Sequence, residues 1–328
     1  MKKRILFLYR TPTAFIMRDL EILKKRYEVV SLHIKSVTDS VAKVLKNLKN
    51  IDLVYIWFAG WHGLFATILS KIFNKKIIVA TGGYDVTALP EINYGAFLSW
   101  RGIISKYILK NADIVLPFSK NAENEIKKRV KIKKIETVYF GFDYKKYKPK
   151  GKKKNIVITV GTVKKSNLKR KGLETFAKTT KLLPNIKFIL IGKHNDESVD
   201  YLRSISGNNL NLPGFVPEKK LIEYMQKSKV YVQVSAHEGF GCSMAEAMLC
   251  ECIPVVTKKF AIPEVVGNTG YYVPYNNPKL TAIAIKKVLN NSDNLGEKAR
   301  ERIKKLFSLE KRKNELLKTV KEVIENGK

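Results

Sequence analysis

The chain has 328 residues, of which 45% are hydrophobic and 10% aromatic. This composition excludes collagen-like, low-complexity and disordered proteins. At roughly 150 residues per domain, the length predicts two domains, each large enough for its own core. The longest apolar runs, 53–60 and 63–69, fall far short of the roughly 18 residues that cross a bilayer. The apolar run 5–9 is too short for a secretory signal, so we expect a cytoplasmic protein.

The charge is strongly positive, because 62 Lys and Arg residues stand against 29 Asp and Glu residues, a formal net charge of +33. A nucleic acid, an anionic membrane surface and a phosphorylated small molecule all fit such a charge. A solvated, lysine-rich surface adapted to heat explains it equally well. The charge alone therefore does not identify a partner.

The three cysteines, Cys242, Cys250 and Cys252, lie in one short stretch without Cys-x-x-Cys spacing. We expect buried, reduced thiols. A metal site formed by Cys242, Cys250 and His237 is the alternative.

The first half of the chain alternates apolar, β-branched runs with segments of helical length. The predicted strands are 4–9, 27–33, 53–57, 76–81, 113–118 and 136–140. Because most are almost continuously apolar, they favour a parallel sheet covered by helices on both faces. This is the pattern of βαβ winding.

A Pro, Gly and Lys stretch at 147–154 interrupts the pattern and predicts a linker. A second alternation follows, with predicted strands 155–160, 186–191, 229–234 and 253–257 and helices near 172–183, 221–227 and 243–249. The tail 295–326 has apolar residues at helical spacing. We therefore predict an N-terminal Rossmann-like domain at 1–148 and a C-terminal Rossmann-like domain at 149–306. An amphipathic helix at 307–328 is a candidate to pack back on the first domain.

Ligands of doubly wound domains bind at the carboxyl ends of the strands, which in a tandem pair face one another across a cleft. After predicted strand 229–234, Glu238 lies in a turn with Gly239 and Gly241, and Glu246 lies in the next helix. The glycines allow close backbone approach, and the free amides of the helix start can bind a phosphate. A capping box formed by Ser243 and Glu246 is the structural alternative for Glu246.

This stretch resembles the E-x7-E motif of retaining GT-B glycosyltransferases, in particular those of family 4, the glycosyl transferases group 1. Other segments follow the order of that family: Ala112-Asp113-Ile-Val with Ser119, Gly141-Phe142-Asp143 with Tyr147-Lys148-Pro149, Gly161 with Lys171-Gly172-Leu173, Ile189-Leu-Ile-Gly192, Pro213-Gly214-Phe215 and Ile262-Pro263-Glu264-Val265. The resemblance covers the second domain almost entirely and the first only loosely. It implies two doubly wound parallel-sheet α/β domains facing a cleft, the GT-B arrangement, with the acceptor bound mainly by the first domain and the nucleotide-sugar donor by the second.

The resemblance also implies roles for single residues. Glu238 contacts the transferred sugar, Glu246 binds the ribose hydroxyls of the nucleotide, and Lys171 binds the donor diphosphate. Carboxylates accept paired hydrogen bonds from vicinal hydroxyls, and a fixed cation stabilises the leaving group as its charge grows. The remaining donor-binding residues implied are Gly161, Arg170, Phe215, Gly239, Phe240 and Gly241.

The sequence departs from the family pattern at two functional positions. Thr162 stands where the family commonly has an arginine, so Lys164, Lys165, Lys169 or Arg170 is expected to supply the second cation. The histidine often found near the reaction centre in the first domain is absent from the segment 81–85. Asp85 is the nearest polar candidate for a catalytic role there, and His62 is another.

The resemblance implies transfer of a sugar from a nucleotide-diphosphate sugar to a glycan or lipid-linked acceptor, with retention at the anomeric carbon. No Asp-x-Asp motif occurs, so we expect no metal and no cofactor besides the donor. The charge is assigned to an anionic membrane surface at the inner face of the membrane, and no nucleic acid is expected. A basic nucleic-acid-binding α/β protein and a nucleotide-sugar epimerase of the same fold are the alternatives.

Overall fold

The computed structural model describes residues 2–290 and 294–325. The chain forms two compact units, Met1–Gly141 with Glu310–Lys328, and Phe142–Leu309. The domain boundaries predicted at residues 148 and 306 stay predictions. Residues 326–328 of the predicted C-terminal helix lie outside the described residues.

The first unit contains a sheet of five parallel strands in the order β2-β1-β3-β4-β5. The strands are β1 Arg4–Tyr9, β2 Glu28–His33, β3 Leu53–Trp57, β4 Lys76–Thr81 and β5 Ile114–Pro117. Every residue of β3 and β5 is buried. These two strands are therefore covered on both faces, as their apolar sequences predict.

Helices alternate with these strands along the chain. They are α1 Ala14–Lys24, α2 Val37–Leu48, α3 Trp61–Ile72, α4 Arg101–Asn111 and α5 Lys120–Lys127, with 3-10 turns at Tyr84–Val86, Pro90–Ile92 and Ala96–Leu98 between β4 and α4. Helices α2 and α5 begin after serine caps, Ser36 and Ser119, whose side chains accept backbone hydrogen bonds.

The strand predicted at 136–140 does not form. Residues 134–138 lie beside β5 and exchange backbone hydrogen bonds with Val115 and Pro117, but only one isolated bridge, between Val115 and Ile135, results. The predicted strand is therefore wrong, although the segment that begins it runs beside β5 at the edge of the sheet.

The second unit contains a sheet of six parallel strands in the order β11-β10-β9-β6-β7-β8. The strands are β6 Lys154–Val160, β7 Lys187–Ile191, β8 Leu210–Gly214, β9 Ser228–Gln233, β10 Ile253–Thr257 and β11 Tyr271–Val273. The four strands predicted from the sequence are β6, β7, β9 and β10, which form the centre of the sheet. The edge strands β8 and β11 were not predicted.

Helices again separate the strands of this unit. They are α6 Lys165–Leu168, α7 Leu173–Lys181, α8 Ser198–Ile205, α9 Glu218–Lys227, α10 Cys242–Leu249, α11 Ile262–Val266, α12 Pro278–Asn290 and α13 Leu295–Leu306. The predicted fold class, two α/β units each built on a parallel sheet, is confirmed.

The last helix, α14 Leu309–Glu325, lies almost wholly in the first unit. Its Arg312 is 3% exposed and forms an ion pair with Asp19 of α1, with Nη2 and Oδ2 2.6 Å apart. The C-terminal segment is thus joined to the N-terminal sheet by a buried charge pair. No helix in the described part of the chain has both the length and the apolar character that crossing a membrane requires.

Candidate functional site

The centre of the candidate site lies in the second unit, where the chain leaves the carboxyl end of β9. Glu238 is only 9% exposed, and its Oε1 lies 3.0 Å from Nζ of Lys171. Two residues 67 positions apart in sequence therefore form a close ion pair. The sequence prediction that these side chains lie together agrees with this geometry, whereas their roles stay predictions.

Two further side chains hold the Glu238 carboxylate. Its Oε1 accepts hydrogen bonds from Nε2 of Gln233, at 2.9 Å, and from Oγ of Ser235, at 3.2 Å. Burial alone would raise the pKa of Glu238, but the positive charges of Lys171 and Arg170 lower it below the ordinary value. Glu238 is therefore a fixed anion at neutral pH.

The glycine after Lys171 fixes the position of that lysine. Gly172 has φ of +66°, and a Cβ there would lie 2.1 Å from the carbonyl oxygen of Val234. Only glycine allows this approach between the start of α7 and the end of β9. The contact brings the backbone of Lys171 next to Ser235, whose Oγ lies 3.3 Å from the carbonyl oxygen of Lys171.

Gly161 follows β6 and lies beside the aliphatic part of the same lysine. A Cβ on Gly161 would stand 3.1 Å from Cδ of Lys171. Gly192, at the end of β7, packs its α-carbon against the Gly161 carbonyl, since a Cβ there would lie 2.1 Å from that oxygen. The loops after β6 and β7 are thus closely packed at the carboxyl edge of the sheet, where ligands of such sheets bind.

The start of α10 differs from the sequence prediction. Gly241, with φ of +94°, is the N-cap, and the helix begins at Cys242, so Ser243 is not the capping residue. No side chain caps the helix, and Glu246 lies in its second turn. The capping box that offered a purely structural explanation of Glu246 is wrong, because a capping box needs Ser at the N-cap itself.

Glu246 and Glu238 both act electrostatically on Tyr231, in β9. Burial raises the pKa of Tyr231 well above its usual value, and the negative charges of Glu238 and Glu246 raise it further. Glu246 is partly exposed, and its predicted role in binding the ribose stays a prediction.

The other residues predicted to bind the donor occupy different environments. Nη2 of Arg170 donates to Oδ1 of Asn167 at 2.7 Å, and its charge acts on Glu238. Phe215 is 75% exposed, after the end of β8. Phe240 is buried, with its ring 5.7 Å from that of Phe142, so its side chain serves packing. Gly239, between Glu238 and Phe240, is partly exposed.

Asp85 and His62 lie in the first unit, and both are buried. The Asp85 carboxylate accepts hydrogen bonds from the amides of Ala59, at 2.8 Å, and Gly83, at 3.1 Å, and from the hydroxyl of Thr81. Burial raises its pKa, although these hydrogen bonds oppose the rise. Asp85 thus ties together the loops after β3 and β4, and its predicted catalytic role stays a prediction.

His62 has one ring nitrogen, Nε2, 2.7 Å from the carbonyl oxygen of Trp57. Burial lowers its pKa to about 4, so the ring is neutral at pH 7 and donates this hydrogen bond.

The cysteines are free thiols, and Cys250 and Cys252 are buried. Sγ of Cys252 lies 3.1 Å from the carbonyl oxygen of Met225 and 3.2 Å from that of Ser228, and its one S–H proton is donated between them. Within residues 2–290 and 294–325, no group of three or more His, Cys, Asp or Glu side chains is placed to hold a metal ion.

Two residues of the site, Gln233 and Ser235, were missed by the sequence analysis. Gln233 is a buried polar residue that directly follows the apolar run 230–232 of β9, and this position is the signal that could have identified it. A buried amide requires a hydrogen-bond partner, which Glu238 provides here.

Solved structures with the same architecture define the class. The sucrose-phosphate synthase of Thermosynechococcus elongatus is 16% identical, with a TM-score of 0.85 over 99% of this chain and 100% of that chain. HepE of Anabaena, solved with UDP and glucose, is 17% identical, with a TM-score of 0.83 over 98% of this chain and 100% of that chain. The fold is that of the GT-B glycosyltransferases.

Residues 142–306 match the family described as glycosyl transferases group 1, and the chain belongs to that family. It is therefore a glycosyltransferase. The N-acetyl-alpha-D-glucosaminyl L-malate synthase of Bacillus anthracis is 25% identical over 286 residues, 80% of this chain and 72% of that protein. A GDP-mannose:cellobiosyl-diphosphopolyprenol alpha-mannosyltransferase of Xanthomonas oryzae is 22% identical over 74% of this chain and 65% of its own length.

Proposed function

We propose that the chain transfers a sugar from a nucleotide-diphosphate sugar to a glycan or lipid-linked acceptor, with retention at the anomeric carbon. The observation that carries this proposal is the buried pair of Lys171 and Glu238 at the carboxyl edge of the second sheet. A fixed cation and a fixed carboxylate side by side match a donor that has an anionic diphosphate next to a polyhydroxylated sugar.

The roles follow from the chemistry of the two groups. Lys171 binds the diphosphate and stabilises the charge that grows on it as the glycosidic bond breaks. Glu238 accepts hydrogen bonds from the sugar hydroxyls, and Glu246 accepts those of the ribose. In a front-face substitution, the leaving diphosphate takes the acceptor proton, so no protein nucleophile is required. The uncapped start of α10 adds backbone amides that favour an anion.

The names of the relatives support the donor and the acceptor class. The Xanthomonas relative is named as using GDP-mannose and a diphosphopolyprenol-linked acceptor, and HepE was solved with UDP-glucose. We propose that the donor site needs no metal ion and that the charge of +33 serves an anionic membrane surface. Nothing in the family or the site favours an epimerase or a nucleic-acid-binding protein.

The first test is donor binding. UDP-glucose, UDP-N-acetylglucosamine and GDP-mannose are compared by thermal shift, because a ligand at about 100 times its Kd stabilises the fold by about 2.7 kcal/mol. We expect one donor to raise Tm. Lys171→Ala and Glu238→Gln are then expected to lower turnover at least about tenfold, a loss of about 1.4 kcal/mol.

The matched control is Lys178→Ala, since Lys178 is an exposed lysine of α7, the helix that follows Lys171. It should retain both turnover and the thermal shift. Full activity of Lys171→Ala and Glu238→Gln would contradict the proposed site. Retention is checked separately from the anomeric coupling constant of the product in its NMR spectrum, and an inverted product would contradict it.

A further inference from the structure

Helix α4 of the first unit has an apolar face that is exposed. Ile103 is 72% exposed, Trp100 63% and Tyr107 40%. The opposite face of the helix is buried through Gly102, Ser105, Ile108 and Leu109. The helix therefore presents apolar side chains both to the core and away from it.

The spacing of these residues makes them one surface. Side chains three, four and seven positions apart in a helix lie on the same face. Trp100, Ile103 and Tyr107 follow this spacing, and the exposed Lys106 and Lys110 continue the same face. A contiguous exposed patch of this kind marks an interaction site more often than single exposed apolar residues do. We name these five residues the α4 face.

The charge along α4 and the segment before it has one sign. Between residues 92 and 112 the chain contains Arg101, Lys106 and Lys110 and no acidic residue. The Arg101 guanidinium lies 5.5 Å from the centre of the Trp100 ring. The surface that complements the α4 face must therefore be apolar and negatively charged.

We propose that the α4 face docks on an anionic lipid bilayer. Trp and Tyr side chains favour the interfacial layer of a membrane, and a helix with a basic rim lies in the plane of that layer. Each Lys or Arg near an anionic leaflet adds to the electrostatic attraction between the protein and the membrane. A second copy of the chain fits less well, because the lysines of two copies would repel each other.

The position of α4 gives this docking a consequence for catalysis. The helix follows the loop 82–98, which leaves the carboxyl end of β4. Ligands of parallel sheets bind at this edge. If the proposed function holds, on which this step alone rests, docking brings the edge of the first unit that receives the acceptor close to the lipid.

The experiment is sedimentation with vesicles at low salt, without any nucleotide sugar. One set contains only phosphatidylcholine, and the other is rich in phosphatidylglycerol. The full chain should sediment with the anionic vesicles, and Trp100→Ser with Ile103→Ser should lower the bound fraction at least about tenfold. Both replaced side chains are mostly exposed, so the serines leave the packing of the core unchanged.

A matched control removes another exposed apolar pair with the same spacing. Leu280 and Ile283 of α12 are 41% and 49% exposed. Leu280→Ser with Ile283→Ser should leave vesicle binding unchanged. Circular dichroism and the thermal shift with the preferred donor confirm that both double variants are folded, so loss of membrane binding and loss of the proposed enzyme function are distinguished.

Tryptophan fluorescence gives a second measurement. Trp57 is fully buried and Trp61 partly buried, so Trp100 is the most exposed of the three tryptophans. Lipids brominated in the acyl chain should quench the emission of the wild-type protein and leave that of Trp100→Phe largely unchanged. Absence of sedimentation, equal binding by the α4 double variant, or self-association through the α4 face without vesicle binding would overturn the proposal.

Discussion

A buried carboxylate remains ionised only if nearby positive charge offsets the cost of removing it from water. At Glu238, Lys171 provides this charge by direct contact and Arg170 by its field. The ammonium of Lys171 has three donors, and Glu238 accepts from one of them. The pair is therefore preorganised without exhausting the lysine, which is what a diphosphate ligand requires.

His62 makes the stability of the first unit depend on pH. Its folded pKa is about 4, below the unfolded value of about 6.5. Its stabilising effect is therefore complete above about pH 6.5 and declines as the pH falls towards the folded value. Between pH 7 and pH 5 we expect a loss of roughly 2 kcal/mol in the free energy of unfolding.

The measurement is urea unfolding followed by tryptophan fluorescence, because all three tryptophans lie in the first unit. His62→Gln cannot titrate, so its stability should change little over the same range. A wild-type protein that is equally stable at pH 5 and pH 7 would show that His62 is not a buried neutral ring.

At the scale of elements, the apolar runs predicted the central strands well, because burial on both faces leaves an unambiguous pattern. The edge strands were harder to predict from the sequence. Strand β11 has three residues, and β8 contains Pro213, both weak signals for a strand. Conversely, the run 136–140 looks like a strand but lies at the sheet edge with only one bridge. An apolar sequence pattern indicates that a segment is buried. A ladder of backbone hydrogen bonds also requires a partner strand in register.

The site could be predicted from the sequence where glycines and charged residues indicate it. Glu238, Lys171 and the glycines around them stand out in the sequence, but Gln233 and Ser235 gain their importance only from the fold, which brings both to Oε1 of Glu238. The N-cap of α10 was misplaced by two residues, because Ser243 resembles a cap and the positive φ of Gly241 is not visible in the sequence.

The attachment of α14 to the first unit depends on Arg312. Its guanidinium binds both Asp19 oxygens, Nε at 3.0 Å and Nη2 at 2.6 Å, and the carbonyl of Tyr139 at 3.1 Å. Arg312→Ala leaves Asp19 buried without its cation, so we expect a loss of about 3–5 kcal/mol in the free energy of unfolding.

The adjacent Lys313 provides the control, because its ion pair with Glu310 is exposed and Lys313→Ala should cost less than about 1 kcal/mol. Both variants are measured by urea unfolding with tryptophan fluorescence. The double variant Asp19→Asn with Arg312→Met should recover part of the loss. Equal stability of Arg312→Ala and the wild type would contradict a structural role for the pair.

At the scale of the whole molecule, the two explanations of the positive charge make opposite predictions. If 62 cationic residues mainly repel each other, screening by salt should stabilise the fold. If the lysines instead form a stabilising network of ion pairs, as on heat-adapted surfaces, screening should destabilise it. Among the ion pairs of the described residues, only Lys171–Glu238 and Arg312–Asp19 have both side chains at most 21% exposed. Most of the other ion pairs are too exposed to contribute much, and the exception is the buried Glu123, which binds Lys120 and Lys127.

We therefore expect Tm to rise with NaCl, because the screening length falls from about 30 Å at 0.01 M to about 3 Å at 1 M. The salt used is a chloride and not a sulfate, because sulfate stabilises proteins by exclusion from their surface whatever their charge. Replacing the exposed Lys46, Lys150 and Lys219 by Gln should give a higher Tm than the wild type at low salt. The Tm of this variant should then rise less with added NaCl. A Tm that falls with NaCl would instead show that the ion pairs formed by the lysines outweigh the repulsion among the positive charges.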